Sequence, residues 1–230
     1  MRTERGAAHL PGLFALTVAT GIVDAVSYLA LDHVFTGNMT GNVLFAGFGL
    51  AGSGGVPLLN NAVALAGFIA GATLAGRSVR GQTHPTRLPS AHRRLLAGTA
   101  LTIIALGVAW LLVGTPAHGW LLGLTAVLAA AMGTQAVAAR GTQVWDVTTV
   151  VITSTLVNFA LDSPLAGGTG EHWARRAGAV LSMGAGGALG ALVVRVWSGA
   201  GALVVAGGCM ALGAGALARV DETNTRRGRR

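Results

Sequence analysis

Long stretches without a charged residue alternate with short arginine-bearing segments along the chain. Charged residues are absent from 6–23, 34–76, 95–139, 147–161, 177–194 and 196–218. A helix needs about 20 mostly apolar residues to cross a hydrocarbon core of ~30 Å. The two longest gaps, of 43 and 45 residues, each have room for two such helices. Pro57 and the Gly114-Thr115-Pro116 turn divide them.

This division predicts eight apolar segments and no strands. Their predicted bounds are 10–31, 35–53, 57–76, 95–114, 119–139, 147–162, 174–196 and 199–218. The predicted fold class is all-α, a polytopic membrane helix bundle that forms a single transmembrane domain. A basic loop, 77–94, and a basic C-terminal tail, 219–230, lie outside the apolar segments.

Composition excludes an ordinary soluble protein. Apolar residues make up 52% of the chain and charged residues only 10%, against about 25% charged in a typical soluble domain. All sixteen basic residues are arginine, and the net charge is +8. These arginines lie between apolar runs, as membrane orientation requires. We therefore expect the lipid bilayer as a partner and no nucleic acid.

The arginines also predict which segments cross, because short cytoplasmic loops collect basic residues. If all eight segments crossed, the five arginines of 77–94 would lie opposite the N-terminus. If 35–53 and 147–162 enter and leave on one side, nearly all arginines share the side of the N-terminus. Only Arg195 then falls near the other surface. The sequence predicts six crossings, two polar non-crossing or broken segments, and cytoplasmic N- and C-termini.

The two halves of the chain, 10–114 and 119–218, follow one order: a long span, a short polar segment and two further spans. Thr36 and Thr40 match Thr149 and Thr153 at an offset of 113. With three crossings each, the halves would form a 3+3 inverted repeat. Broken helices that meet near the midplane of such repeats are a recurring transporter design. We therefore expect the two polar segments to converge there from opposite faces.

Asp24 is an acidic residue inside the first predicted crossing. Such a residue costs about 2.5–3.5 kcal/mol on insertion scales, so it normally faces a polar interior. One interpretation is a group that couples protons or contacts a solute. The other is a packing carboxylate hydrogen-bonded to Ser27, Tyr28 or a neighbouring segment.

Further polar side chains extend this candidate site. The residues predicted to bind a solute or ion are Asp24, Tyr28, Asn38, Thr40, Asn42, Gln135, Thr149 and Thr153. Alternatives remain open, because Thr36 or Asn38 could cap a short helix and threonines often bond to their own helix backbone. Asp32 and His33 are interpreted as solvated loop residues.

No pattern typical of an enzyme or a metal site is found in the sequence. Nucleophile–base sets, paired carboxylates and a phosphate-binding loop are absent, and the histidines lack ligand spacing. The single cysteine, Cys209, excludes an internal disulfide. We expect no enzymatic activity, no cofactor and no metal. The pairs Gly67/Gly71 and Gly186/Gly190 have GxxxG spacing and predict helix–helix contacts.

The polar motifs resemble those of the YoaK-like family of bacterial integral membrane proteins, which has no established activity. The matching residues are Gly21, Asp24, Ser27, Tyr28, Phe35, Asn38, Met39, Thr40, Gly41, Asn42, Gly133, Gln135, Arg140, Thr149 and Thr153. Family members often carry Asn after the Gln, where this chain has Ala136. The resemblance implies six crossings in the bacterial cytoplasmic (inner) membrane, and it supplies no substrate.

These observations lead to two functional hypotheses. The first is a transporter or channel for an unknown small solute, with proton coupling as an option and its site between the two polar segments. The alternative is a non-transporting membrane scaffold or assembly protein, in which protein packing fills those segments. An intramembrane enzyme acting on lipid is disfavoured because no catalytic set is found. Homo-oligomers are compatible with either hypothesis.

Overall fold

The computed structural model describes residues 2–53, 55, 57–82, 88–114, 117–142, 152–170 and 172–227, with only the backbone described for 2–7 and 221–227. Eight α-helices lie within these residues: α1 (Arg2–Ala30), α2 (Met39–Leu50), α3 (Leu58–Val79), α4 (Ser90–Val113), α5 (His118–Arg140), α6 (Ile152–Leu161), α7 (Trp173–Val196) and α8 (Gly199–Arg227). The predicted all-α class is confirmed, since no strand occurs in this part of the chain.

Six of the helices, α1, α3, α4, α5, α7 and α8, are long and apolar enough to cross a membrane. The other two are short. At 1.5 Å per residue, the 12 residues of α2 and the 10 of α6 extend about 18 Å and 15 Å. Neither can cross a hydrocarbon core of ~30 Å. The numbers of long and short helices agree with the predicted six crossings and two non-crossing segments.

Several helices extend beyond the predicted apolar segments. The first begins at Arg2, α4 begins at Ser90 and α8 ends at Arg227, where the sequence predicted bounds at 10, 95 and 218. Charge gaps report how much of a helix lies in lipid, but they do not report where the helix ends. Arginine stems can lie along an apolar surface with the charged head in water, so a helix can continue through the interface.

Glycines bring two helix pairs together in parallel. Gly67 and Gly71 of α3 lie against the backbone of Ala126 and Ala130 in α5. Gly186 and Gly190 of α7 lie in the same way against Val18 and Ile22 of α1. Residue numbers rise together along both interfaces, so each pair is parallel. The helix–helix contacts predicted from GxxxG spacing are confirmed, because a side chain at these positions would collide with the neighbouring backbone.

The remaining contacts fix the directions of the other long helices. Gly107 of α4 lies against Ala200, while Gly207 of α8 lies against Ala100, so α4 and α8 are antiparallel. Gly12 of α1 lies against Leu217, while Gly199 of α8 lies against Ala30, so α1 and α8 are also antiparallel.

Trp110 near the end of α4 packs on Trp120 near the start of α5, and Gly141 after α5 lies against His92 near the start of α4, so α4 and α5 are antiparallel as well. Together with the parallel pairs, these contacts make α1 and α3 run in opposite directions, as do α5 and α7. The connections through α2 and α6 therefore begin and end on one side.

The described arginines concentrate at one end of the bundle, which we call the arginine end. It carries Arg77, Arg80, Arg93, Arg94, Arg140, Arg175, Arg176 and Arg219, near the ends of their helices. Arg195 lies at the opposite end, close to where α7 ends. The first residues of α1 and the last of α8 both belong to the arginine end, because these helices are antiparallel.

The expected convergence of 35–53 and 147–162 is wrong for the described parts of these segments. Helix α2 packs on α3, helix α6 packs on α7, and the two short helices do not contact each other. The physical reason is that each short helix folds back onto the long helix that follows it. A site shared between α2 and α6 is therefore not formed by the described residues.

Candidate functional site

The chain breaks sharply between α1 and α2. Asp32 and His33 have φ angles of +56° and +57°, in the left-handed region that non-glycine residues rarely adopt. The chain then turns back along α1 until Gly37 reaches Asp24. Asp24 lies six residues before the end of α1 at Ala30, or about 9 Å of helix rise. Residues 34–38 are therefore a re-entrant break in the bundle.

The carboxylate of Asp24 faces this break. Its side chain is only 5% exposed, and its Oδ1 accepts a hydrogen bond of 2.7 Å from the backbone N–H of Gly37. Thr36 and Asn38, on either side of Gly37, place their backbone close to the same carboxylate. The second oxygen, Oδ2, is buried and has no hydrogen-bond partner among the described residues. The carboxylate thus lies beside the first residues of α2, where a helix dipole favours negative charge.

Gly37 allows the backbone to approach so closely. A Cβ at this position would lie 3.1 Å and 3.2 Å from the two carboxylate oxygens of Asp24 and 3.3 Å from Thr20. Such a Cβ would push the N–H away from the carboxylate. The glycine is therefore part of the geometry of the site as well as of the turn.

Two buried hydroxyls link the same segments beside the carboxylate. Ser27 donates a hydrogen bond of 2.7 Å to the carbonyl of Val23, and its Oγ lies 2.7 Å from the Oγ1 of Thr36. Since the Ser27 proton is used, Thr36 donates to Ser27. Thr36 and Asn38 were the two candidates for capping a short helix. The side chain of Thr36 instead bonds to Ser27 and so connects the break to α1. Asn38 occupies the N-cap position of α2 without a side-chain cap hydrogen bond.

Asn42 closes the break from the side of α2. Its side chain is 0% exposed. The Oδ1 accepts from the N–H of Phe35 at 2.9 Å, and the Nδ2 donates to the Phe35 carbonyl at 2.5 Å. Both polar backbone groups of Phe35 are thus satisfied inside the bundle, as buried backbone requires. The amide of Asn42, a predicted site residue, therefore forms its hydrogen bonds with the protein backbone.

A run of aromatic rings borders the break. Tyr28 stacks on Phe35 with ring centroids 5.1 Å apart, and His33 meets Tyr28 edge-on at 4.9 Å. Phe45 of α2 continues the stack at 6.1 Å from Phe35. Tyr28 is half-buried. These rings fix Phe35, and with it the start of the re-entrant segment.

Replacing Asn42 by alanine should destabilise the protein by about 1–3 kcal/mol, because the N–H and C=O of Phe35 lose their buried partners. Thermal unfolding in detergent measures the change. Thr40→Ala on the same helix is the control, since Thr40 is exposed and such substitutions stay within about ±0.5 kcal/mol. Equal stabilities of the two variants would contradict the role given to Asn42.

The other predicted site residues are dispersed. Asn38 is half-buried, Thr40 is exposed and Gln135 is fully buried in α5. Thr153 is exposed on α6, and Thr149 lies outside the described residues. The structure brings Asp24, Tyr28, Asn38 and Asn42 to one break. It does not bring Thr153 to them.

Asp32 and His33 are exposed, as interpreted from the sequence, but Asp32 also makes contacts that the sequence did not predict. Its Oδ2 accepts a hydrogen bond of 3.0 Å from Asn60 of α3 and lies 3.4 Å from the Nδ1 of His118 at the start of α5. The carboxylate therefore lies where the ends of α1, α3 and α5 meet, opposite the arginines. The only sequence signal for these contacts was weak: Asp32, Asn60 and His118 are polar residues near the ends of predicted apolar segments.

Sequence reasoning also missed an ion pair between a buried arginine and a partly exposed aspartate at the arginine end. Arg176 of α7 is 8% exposed. It pairs with Asp162, which directly follows α6, and donates a hydrogen bond of 2.7 Å to the carbonyl of Asn158. This pair fixes α6 on α7. Among the described residues, no group of three or more His, Cys, Asp or Glu is placed to hold a metal ion.

The six long apolar helices and the buried polar break define the chain as a polytopic α-helical membrane protein. It belongs to the family described as "Protein of unknown function (DUF1275)", whose model matches residues 12–216. The chain is also similar to the "UPF0700 transmembrane protein YoaK" of Bacillus subtilis (strain 168), with 33% identity over 151 residues. That match covers 65% of this chain and 65% of the relative. The resemblance read from the sequence motifs is thereby confirmed.

The chain therefore spans about two thirds of the length of the curated relative it matches. No solved structure matches the chain.

Proposed function

We propose that the chain is a small-solute transporter or channel, built from two inverted halves, of the bacterial cytoplasmic membrane. The observation that carries this proposal is the Asp24 carboxylate, which faces a re-entrant break with one oxygen unpartnered among the described residues. Ionisable residues inside membrane spans are expensive, and they commonly mark solute or proton pathways. The proposed site lies at this first break and does not require α6.

Equivalent glycine contacts support the inverted repeat. A Cβ on Gly21 would lie 2.8 Å from the nitrogen of Gly187, and one on Gly133 would lie 3.0 Å from the nitrogen of Ala72. The two contacts are equivalent. Gly21 of α1 corresponds to Gly133 of α5 at an offset of +112, and Gly187 of α7 corresponds to Ala72 of α3 at an offset of −115. The contacts of Gly186 with Val18 and of Gly71 with Ala130 are related by the same two offsets.

The interface between α4 and α8 supports the same symmetry. A Cβ on Gly107 would lie 2.9 Å from both the carbonyl oxygen of Ala200 and the nitrogen of Val204. A Cβ on Gly207 would lie 3.1 Å and 2.9 Å from the same atoms of Ala100 and Ile104. Each residue of α4 in these contacts corresponds to the residue of α8 numbered 100 higher, so the two contacts are equivalent. A two-fold axis between the helices would produce this equivalence. Because equivalent helices run in opposite directions, the halves are inverted, an arrangement that recurs in transporters.

The proposed role of Asp24 follows from its hydrogen bonds. The ionised carboxylate attracts the N–H of Gly37 and so holds the break closed. Protonation, or a bound cation at Oδ2, would remove or redirect that attraction and loosen the break. A solute-dependent movement of residues 34–38 could thereby be coupled to a proton or cation.

Orientation in the membrane follows from the arginines. We infer that the arginine end is cytoplasmic, because basic residues near short loops favour that side. Both termini are then cytoplasmic, and the break at Asp24 opens toward the outer surface.

The contacts of Asp24 also favour a second candidate, a non-transporting scaffold. Its Oδ1 and the side chains of Asn42 and Thr36 all bond within the protein. In that case the break is a packing feature that water does not enter. Access of water to residues 34–38 therefore separates the two candidates.

Labelling of single cysteines with a membrane-impermeant maleimide measures this access. Cys209→Ala removes the single native cysteine, and Asn38→Cys then places a thiol in the break. We expect this thiol to react from the outer side in intact proteoliposomes. Leu44→Cys on α2 is the control, because its exposed side chain would face lipid and react only after detergent is added. If both thiols stay unreacted before detergent, the scaffold is supported and the transporter proposal fails.

A second experiment tests coupling in proteoliposomes that contain a pH-sensitive dye. Small cations, anions and neutral polar solutes are added one at a time under an imposed membrane potential. We expect Asp24→Asn to abolish the solute-dependent proton movement seen with the natural chain, because the amide cannot exchange a proton. Asp32→Asn, a matched change outside the break, should retain it. Unchanged proton movement in Asp24→Asn would remove the coupling role.

A further inference from the structure

A groove runs between α4 and α8 at the arginine end. Its cavity volume is about 600 Å³, within the range of about 300–1,000 Å³ typical of small-molecule sites. Small and apolar side chains form its walls, among them Ala97, Ala100, Leu101 and Ala214. Leu101 is largely exposed, so the groove opens sideways toward lipid.

The polar residues of this groove are confined to one end. Ser90, Arg93 and Arg94 line it where α4 begins. Neither guanidinium forms a hydrogen bond or an ion pair with another described side chain. Two positive charges therefore lie at one end of an apolar channel between two helices.

We propose that this groove binds one anionic phospholipid of the membrane leaflet at the arginine end. An acyl chain would lie between α4 and α8, and the headgroup phosphate would bond to Arg93 and Arg94, with Ser90 as a further donor. Arginine suits phosphate because its planar fork donates two parallel hydrogen bonds. Basic pockets between membrane helices are known to hold such headgroups.

The opposite end of the same interface differs in a way that supports the proposal. The offset of 100 that exchanges the α4 and α8 contacts relates Ala97 to Trp197. The Trp197 ring lies over Gly201, where an added Cβ would lie 2.9 Å from a ring carbon. An aromatic ring thus stands at the position that the small side chain of Ala97 occupies in the groove. The open groove occurs at the end with the arginines.

Native mass spectrometry of the full chain in detergent tests the proposal, with phosphatidylglycerol and phosphatidylcholine of identical chains as probes. Two arginines near the headgroups should favour the anionic lipid by about 30-fold, which equals ~2 kcal/mol at 1.4 kcal/mol per tenfold. Arg93→Gln with Arg94→Gln should remove this preference. Arg77→Gln with Arg80→Gln, the same charge change at the end of α3, should keep it.

A second pair of variants tests the apolar channel without changing charge. Ala97→Trp should fill the groove and lower binding of phosphatidylglycerol, whereas Ala105→Trp, at an exposed position outside the groove, should not. All variants are compared at equal helicity and monodispersity. The proposal is overturned if the Arg93/Arg94 variant retains the preference, if the Arg77/Arg80 variant loses it equally, or if Ala97→Trp binds the lipid like the natural chain.

Discussion

Gly71→Leu should destabilise the protein by about 3 kcal/mol or more, at or above the upper end of the typical range for overpacked cores. Even a Cβ at this position would collide with the carbonyl oxygen of Ala130 on α5. Backbone atoms cannot rotate away as a side chain can, so α3 and α5 would have to separate. Because a folded protein is stable by only about 5–15 kcal/mol, much of the expressed chain should fail to fold. The yield of monodisperse protein and the unfolding temperature in detergent measure this loss.

Gly186→Leu should have an effect of similar size, because Gly186 meets Val18 as Gly71 meets Ala130. The controls are Gly76→Leu on α3 and Gly184→Leu on α7, since a Cβ at either position meets nothing within 4 Å. Both controls should fold as the natural chain does. A large loss at position 71 with none at 186 would count against equivalent halves, and a tolerated leucine at both would contradict the glycine contacts.

Arg176→Ala should cost about 3 kcal/mol, the lower end of the range for breaking a buried ion pair. Arg176 is buried and bonds to both Asp162 and the carbonyl of Asn158. Asp162 is partly exposed, so water compensates some of its lost partner. Removing the arginine should therefore detach α6 from α7 and raise hydrogen exchange across α6. Unfolding temperature and exchange rates measure the two effects.

Arg140→Ala is the matched control, because Arg140 is exposed at the last residue of α5 and such changes stay within about ±0.5 kcal/mol. Replacing both partners, with Arg176→Met and Asp162→Asn, should cost less than Arg176→Ala, since no charge is left unpaired. If Arg176→Ala behaves like the control, the ion pair does not hold α6.

Much of the fold follows from the sequence because lipid imposes simple rules. Charge gaps predicted the six long helices, and arginine placement predicted which two segments do not cross. The GxxxG pairs at Gly67/Gly71 and Gly186/Gly190 predicted two interfaces, because close backbone approach in lipid requires small residues. These signals depend on local composition, so one sequence is enough to detect them.

The site was only partly predictable, because its contacts join residues that are distant in sequence. Asp24 was found from its cost in lipid, yet nothing in the sequence indicated that the N–H of Gly37 is its partner. Asn42 looked like a solute ligand, but its amide satisfies Phe35. The convergence of the two polar segments was wrong for their described parts, since sequence order does not reveal which neighbour a short helix chooses.

The two parallel glycine interfaces have a consequence for how the chain is made. Each joins a helix of the first half to one of the second, and Gly21 and Gly186 are 165 residues apart. At about 5–20 residues per second, the ribosome delivers the α7 partner roughly 8–33 s after its α1 counterpart. Until the second half has been inserted, the glycine faces of α1 and α3 lie in the bilayer without their partner helices. The bundle therefore cannot complete its assembly while only the first half has been made.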